Sequence, residues 1–189
     1  MQDPARRRGR RRLDEGPALD RERLVSALLA IAEKDGLAAI NMRRAAADLG
    51  VSPRLIYHHV KDKEEMLFIL YDEIWARNMP DLEGLDWDDR LREVAAISRR
   101  AMARYPGVAA GILATSTGRI TLPHSAQMRG AVVSALSEAG MDNEAAEAGY
   151  IQFMALIFGG AVMSEGVRNK QVVEASIDQA LDRLIAEIP

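Results

Sequence analysis

The sequence predicts an all-α fold, and three observations predict it. No stretch alternates apolar and polar residues with period two for long enough to form a strand. Helix-starting and helix-stopping residues recur along the chain at helical intervals. The last segment carries Val173, Ile177, Leu181, Leu184 and Ile188 at spacings of four, four, three and four, a single helical stripe.

The elements follow in order. Asp20 can cap a helix running to about Asp35, with Leu24, Leu28 and Ile31 on one face and Gly36 as its stop. Asn41 caps a short second helix, Met42 to Leu49, closed by Gly50. Ser52 caps a third, with Pro53 at its first position, where a missing N–H costs nothing. Asp62 and Glu65 form a capping-box-like pair opening a long fourth helix toward Met79. Pro80 and Asp81-Leu82-Glu83-Gly84 break that pattern. The fifth helix starts at Asp86 and ends before Tyr105-Pro106-Gly107. A short segment runs to Ala114, followed by the Thr115-Ser116-Thr117-Gly118-Arg119 loop. Pro123 opens another helix, closed by Gly140, and Asp142 caps one lasting to Glu165-Gly166. The division expected is a basic arm over 1–19, a three-helix domain over 20–66 and a larger helical domain over 67–189.

From Ala148 to Met163 the only strongly polar residue is Gln152. The run is shorter than the roughly 20 apolar residues of a membrane span. A helix apolar on every face must be covered from several sides. It is either the central helix of a monomeric bundle or a helix shared with a partner chain, and the paired Gly159-Gly160 favour the second.

Charge is the next guide. The 189 residues hold 25 Lys+Arg against 28 Asp+Glu, a net of −3. Residues 1–60 carry a net of +4 and residues 61–189 a net of −7. A basic front on an acidic body points one region toward polyanions. Arg6-Arg7-Arg8-Gly9-Arg10-Arg11-Arg12 has no apolar residue for a core, so we expect a disordered arm able to neutralise phosphates or enter a minor groove. No apolar stretch follows those arginines, so no secretory leader is expected. With no cysteine, the chain has no disulfide, thiolate metal site or cysteine nucleophile.

The second and third helices, joined by Gly50-Val51-Ser52, make a helix-turn-helix candidate. Leu55, Ile56 and Val60 can face Met42, Ala46 and Leu49, while Arg54, Tyr57 and His58 share the opposite face at i, i+3 and i+4. Lys61 and Lys63 follow at once. Such a helix suits a major groove: Arg can fork onto guanine O6 and N7, and Tyr and His can reach phosphates or base edges. Ser52 would bring a hydroxyl and a positive helix end to the same phosphates.

The run from Asn41-Met42-Arg43-Arg44 through Gly50-Val51-Ser52-Pro53-Arg54-Leu55-Ile56-Tyr57-His58-His59-Val60-Lys61-Asp62-Lys63, ending in Met66-Leu67, closely resembles the DNA-binding domain of the tetracycline-repressor (TetR) family. The likeness begins near Leu24 and covers some fifty residues. It implies a homodimer with a DNA-binding head and a larger domain for effector binding and dimerisation. By position, Arg43 and Arg44 would reach bases or backbone, and Ser52, Pro53, Arg54, Tyr57 and His58 would line the recognition helix. His59 would be partly packed and touch a phosphate, and Lys63 would hold the backbone. Asn41 stands where a threonine is usual and Ala45 where a leucine is usual, the latter trimming the head's core. Trp87-Asp88-Asp89-Arg90-Leu91, Arg104-Tyr105-Pro106-Gly107 and Leu156-Ile157-Phe158-Gly159-Gly160 more loosely resemble the family's C-terminal domain. That likeness implies a four-helix bundle formed by the last two helices and their mates.

Methionines and aromatics of the larger domain are core residues by default, but they also suit a pocket for hydrophobic ligands. The resemblance raises that pocket above the default, with Met102, Tyr105, Leu113, Met128, Phe153, Met154 and Ile157 as its expected lining. Gln152, His124, Gln127 or the 115–121 loop would orient the ligand. Metal-held tetracycline would need a convergent His and carboxylate set, and the body has only His124, so that ligand is not expected. No catalytic constellation is expected: His58-His59 are adjacent rather than i, i+4, Ser125 beside His124 is sequence proximity, Glu144 and Glu147 read as a solvated helix start, and no glycine loop cradles phosphate. The expectation is therefore a cytoplasmic, homodimeric regulator, most simply a repressor. It would need no cofactor, metal or membrane, would bind a double-stranded palindromic operator, and would be released by a small hydrophobic effector. The alternative is a ligand-binding or interaction module of the same fold without DNA binding.

Overall fold

The computed structural model describes residues 19–115 and 122–188. The arginine run at 6–12 and residues 116–121 of the Thr/Ser/Gly-rich loop lie outside them. Among the described residues every regular element is helical.

Helix α1 (Arg21–Asp35) starts where Asp20 Oδ1 accepts the Arg23 N–H at 2.8 Å. A 3-10 turn at Leu37–Ala39, too short to leave a periodic signal, leads to α2 (Met42–Leu49). Asn41 caps α2 by accepting the Arg44 N–H at 2.9 Å, and Gly50 closes it with a left-handed φ of 67° that glycine takes without strain.

Helix α3 (Pro53–Ile56) is shorter than expected. Past Ile56 the His58 and His59 N–H groups reach back only three residues, to Leu55 O and Ile56 O, so the segment closes as tight turns before Val60. Ser52 holds the cap position, but its side chain makes no capping bond there. Helix α4 (Lys63–Ala76) begins with Asp62 accepting the Glu65 N–H at 2.8 Å, while Glu65 reaches back to the Lys61 N–H at 2.7 Å. It stops short of Met79, where Asn78 Nδ2 donates to Ile74 O at 2.7 Å and satisfies a terminal carbonyl.

The body comprises α5 (Trp87–Arg104), α6 (Val108–Thr115), α7 (Pro123–Glu138), α8 (Asn143–Gly166) and α9 (Lys170–Ala186). Helices α5, α7 and α8 pack on one another, and α6 and α9 lie against α8. Helix α4 packs on both α1 and α7, so the expected division at 66/67 falls inside one continuous helix. The apolar core runs unbroken from Leu24 through Met66 and Leu70 to Phe153 and Ile177.

Two further ties join head to body. The Leu37 N–H donates to Pro106 O at 2.8 Å, and Arg104 pairs with Glu33 at 3.1 Å. The α5–α6 turn is itself held by Glu165, which accepts the Gly107 N–H at 2.8 Å.

Helix α8 has the length and apolarity of a membrane span, with 24 residues and a mean hydropathy of 1.3 in its most apolar window. Its inward face, Ala146, Gly149, Phe153, Ile157 and Gly160, is buried in the body. The other face leaves Ile151 67% and Met163 61% exposed. The paired glycines divide their work. A Cβ on Gly160 would lie 2.2 Å from Ile177 Cδ1, so this glycine seats α9 within the same chain. Gly159 meets nothing within 4 Å and lies toward the open side.

Candidate nucleic-acid interface and ligand cavity

The head's inner face is Met42, Ala45, Ala46, Ile56 and Val60, all buried, with Ala45 packed despite its small size. Burying these turns the remaining side chains outward. Arg43, Pro53, Arg54, Tyr57, His58 and Lys63 are exposed, and Ser52 and His59 are half-buried. Tyr57 is 56% exposed, an aromatic ring presented to solvent beside Arg54. Exposed basic side chains therefore lie on α2, the α3 segment and the start of α4, with the half-buried Ser52 in the turn between the first two.

Arg44 stands apart. Its guanidinium donates to Asp35 at 2.6 Å and to both carboxylate oxygens of Asp48 at 3.1 Å, and these bonds hold its pKa above the ordinary arginine value. It knits α1 to α2 rather than standing free.

In the body, α4, α5, α6, α7 and α8 line a partly open cavity of about 140 Å³. Phe68, Tyr71 and Trp75 of α4 form one wall, with Trp75 tilted against Phe158 at a ring separation of 6.0 Å. Val94, Ser98, Ile112, Leu122, Val132, Tyr150 and Phe153 continue the lining. Of the residues expected to line it, Met128, Phe153 and Met154 do. Met102 instead floors a separate cleft of about 400 Å³ with Arg99, Pro106 and Lys170. Tyr105 and Ile157 are buried in packing outside the cavity, and Leu113 points outward at 39% exposure. The sequence reading missed the α4 wall, although Phe68, Tyr71 and Trp75 fall at helical spacings of three and four.

Among the described residues the cavity's polar lining is Tyr71, Ser98, Thr115, Ser125, Arg129 and Tyr150. Burial pushes the Tyr71 phenol up to about 12, and its buried hydroxyl finds no hydrogen-bond partner among the described residues. Ser98 is 2% exposed. Arg129 is hydrogen-bonded to Glu147 and stacks over Tyr150 at 5.7 Å, so its charge is already matched. Burial also raises the Tyr150 phenol, against a lowering by Arg129. At the cavity's edge Asp72 of α4 receives the His124 and Ser125 N–H groups, at 2.9 and 3.4 Å, and lies 3.0 Å from His124 Nδ1. Asp72 thereby caps α7 from α4. Among the described residues no three His, Asp or Glu side chains are grouped as a metal site.

No protein-family model matches the chain. It is 33% identical over 92 residues to the HTH-type transcriptional repressor DrrR1 of Streptomyces coeruleorubidus, covering 48% of this chain and 34% of that protein. It is 35% identical over 91 residues to the class D tetracycline repressor protein of Escherichia coli, covering 46% of this chain and 41% of the relative. The match therefore spans less than half the length of either relative. Among solved structures, Mycobacterium smegmatis BioQ superposes over 90% of this chain and 98% of its own, with a TM-score of 0.79 and 22% identity. BioQ has also been solved with its double-stranded DNA operator, and that structure matches with a TM-score of 0.77. Across about half its length this chain is similar in sequence to a tetracycline repressor protein, and along nine-tenths of it the fold is shared with BioQ.

Proposed function

We propose that the protein is a sequence-specific, DNA-binding transcriptional regulator, acting as a cytoplasmic homodimeric repressor that a small hydrophobic effector releases from a palindromic operator. The observation that carries this is the outward set Arg54, Tyr57 and His58 on a segment whose inner face is fully used in the head's core. Arg54 is the base reader, forking onto guanine, with Tyr57 and His58 beside it. Arg43, Ser52, Pro53, His59 and Lys63 position the backbone, and Arg44 supports them from within the head. The similarity to named repressors and to an operator-bound structure supports the same reading.

Two heads must be held at a fixed spacing, about one helical turn or roughly 34–36 Å, to read a two-fold site. The open apolar face of α8, with Ile151 and Met163, supplies the surface on which a second copy closes. Helix α4 links the halves, since its first residue is the backbone contact Lys63 and its later turns wall the cavity. A ligand that fits the cavity better in one setting of α4 shifts the heads by that difference in affinity and nothing else.

The test is operator selection from random duplexes with the full-length chain, followed by anisotropy titration. Arg54→Ala and Tyr57→Ala should abolish specific binding while the dimer persists in sedimentation. Specific binding by both variants would remove the recognition assignment. A module of this fold without DNA binding would show no steep loss of duplex affinity between low and moderate salt.

A further inference from the structure

Two heads that read one operator must each be held at more than one point, since a head on a single tether swings. Helix α4 is the first hold, continuous from Lys63 in the head to the cavity wall at Trp75. The second is a main-chain joint, where the Leu37 N–H donates to Pro106 O at 2.8 Å. Gly36 and Gly107 flank it with φ of 77° and 85°, a conformation that suits glycine. A Cβ on Gly36 would lie 3.3 Å from Pro106 O, and one on Gly107 would lie 3.2 Å from Leu37 Cβ. With so little between the two chains, a displacement of the body's turn passes to the head. The Arg104–Glu33 pair adds a further contact, but its side chains are 59% and 48% exposed, and such pairs contribute little.

The body's side of this joint is held from α8. Glu165, in the last turn of that helix, accepts the Gly107 N–H at 2.8 Å across 58 residues of sequence. Gly107 immediately precedes α6, where N–H groups lack a partner within the helix and a carboxylate gains from both its charge and the helix dipole. Its neighbour Ser164 turns back to Gly160 O at 2.9 Å, so Glu165 is the side chain that reaches across. Helix α8 also carries the open face on which a second copy closes in the reading above. We propose that Glu165 is a positioning residue for operator reading: it anchors the α5–α6 turn to α8 and, through Pro106 and Leu37, sets where each head stands relative to the dimer axis. This rests on the reading of the protein as a dimeric, operator-binding regulator. Glu165→Ala leaves the Leu37–Pro106 bond in place and frees the turn that carries it. Glu165→Gln keeps an accepting oxygen at the same reach.

The test uses the full-length protein and the duplex it selects, rebuilt with the half-sites moved together or apart in single base-pair steps. Anisotropy titrations give the affinity at each spacing for the wild type, Glu165→Ala and Glu165→Gln, with sedimentation to verify the dimer and circular dichroism to verify folding. The wild type should prefer one spacing by about tenfold. In Glu165→Ala that preference should fall to about twofold or less, with affinity for random duplex unchanged, and Glu165→Gln should keep the wild-type profile. A merely structural role would weaken every spacing alike. Uniform weakening, an unaltered profile in Glu165→Ala, an equal flattening in Glu165→Gln, or a monomeric or unfolded Glu165→Ala beside an intact Glu165→Gln would each overturn the proposal. A parallel measurement needs no DNA: exchange of the Gly107 amide should be about tenfold faster in Glu165→Ala and near wild type in Glu165→Gln. Unchanged exchange in Glu165→Ala would overturn the anchoring role whatever the operator does. A wild type that selects no duplex would overturn the operator reading and the spacing role with it, and the exchange rates would still decide the anchor.

Discussion

Arg44 Nη2 donates to Asp35 Oδ2 at 2.6 Å, so one cation of the proposed DNA-binding motif is engaged within the head. Asp48, one turn along α2, takes its Nε at 3.1 Å. Arg43, its exposed neighbour, carries no such pairing in the described ion pairs. The two arginines should therefore differ on DNA. Arg43→Ala should lower the salt dependence of duplex binding by about one unit of log–log slope, the loss of one phosphate contact. Arg44→Ala should change the slope by well under that. Anisotropy titrations across a salt series decide it, and equal slopes for the two variants would refute the distinction.

The unmatched Tyr71 hydroxyl predicts an unusual stabilising substitution. Removing a buried group that has no partner among the described residues relieves its desolvation cost, of order 1–3 kcal/mol, against a smaller loss of packing. Tyr71→Phe should raise the unliganded protein's stability by about 1 kcal/mol, read as a higher denaturation midpoint at unchanged slope.

The same phenol should make the protein sensitive to alkali. Its pKa is raised by burial to about 12 in the folded state, against about 10 when unfolded. Below pH 10 both states keep the proton and the stability is intact. From pH 10 to 12 the unfolded chain releases the proton first, so stability falls by roughly 2–3 kcal/mol over that window. In Tyr71→Phe most of that loss should vanish; denaturant melts at stepped pH provide the measurement.

The paired glycines of α8 should respond oppositely to alanine. Gly160→Ala drives a methyl to 2.2 Å from Ile177 Cδ1 and 2.6 Å from its Cγ1, overpacking that costs about 1–3 kcal/mol. Gly159→Ala enters open space in the single chain and gains up to about 1 kcal/mol of helix propensity. Thermal melts at a concentration where the protein is monomeric separate the two effects.

The outer face of α8 supplies a test of assembly. Ile151→Asp places a charge where a second copy would close, so the dimer should dissociate in sedimentation while the monomer's helicity is kept. An unaltered dimer would move the interface off this face.

Much of this was written in local chemistry. Asp20, Asn41, Asp62 and Asp142 each accept a backbone N–H at the helix start that their position suggests, because a cap depends on residues three apart. The exposure of Arg54, Tyr57 and His58 was legible for the same reason: Ile56 and Val60 of the same segment are buried in the head. The cavity was less so. Periodicity reports that Met102, Tyr105, Phe153 and Ile157 face inward, but cannot tell which meet empty space and which meet one another. The Asp72–His124 contact joins residues 52 apart, and no local pattern encodes it. Gly160 was read as a seat for a partner chain and instead seats Ile177, since a bare glycine face does not say which helix will occupy it.

The bond from the Leu37 N–H to Pro106 O has a consequence for how such a protein is mapped. It is written in the main chain on both sides, so no alanine substitution deletes it. A side-chain scan would chart the proposed reading surface and the cavity and pass silently over the joint between them. A residue lacking its amide hydrogen, proline at position 37 or an ester in place of that peptide link, is what makes the joint visible.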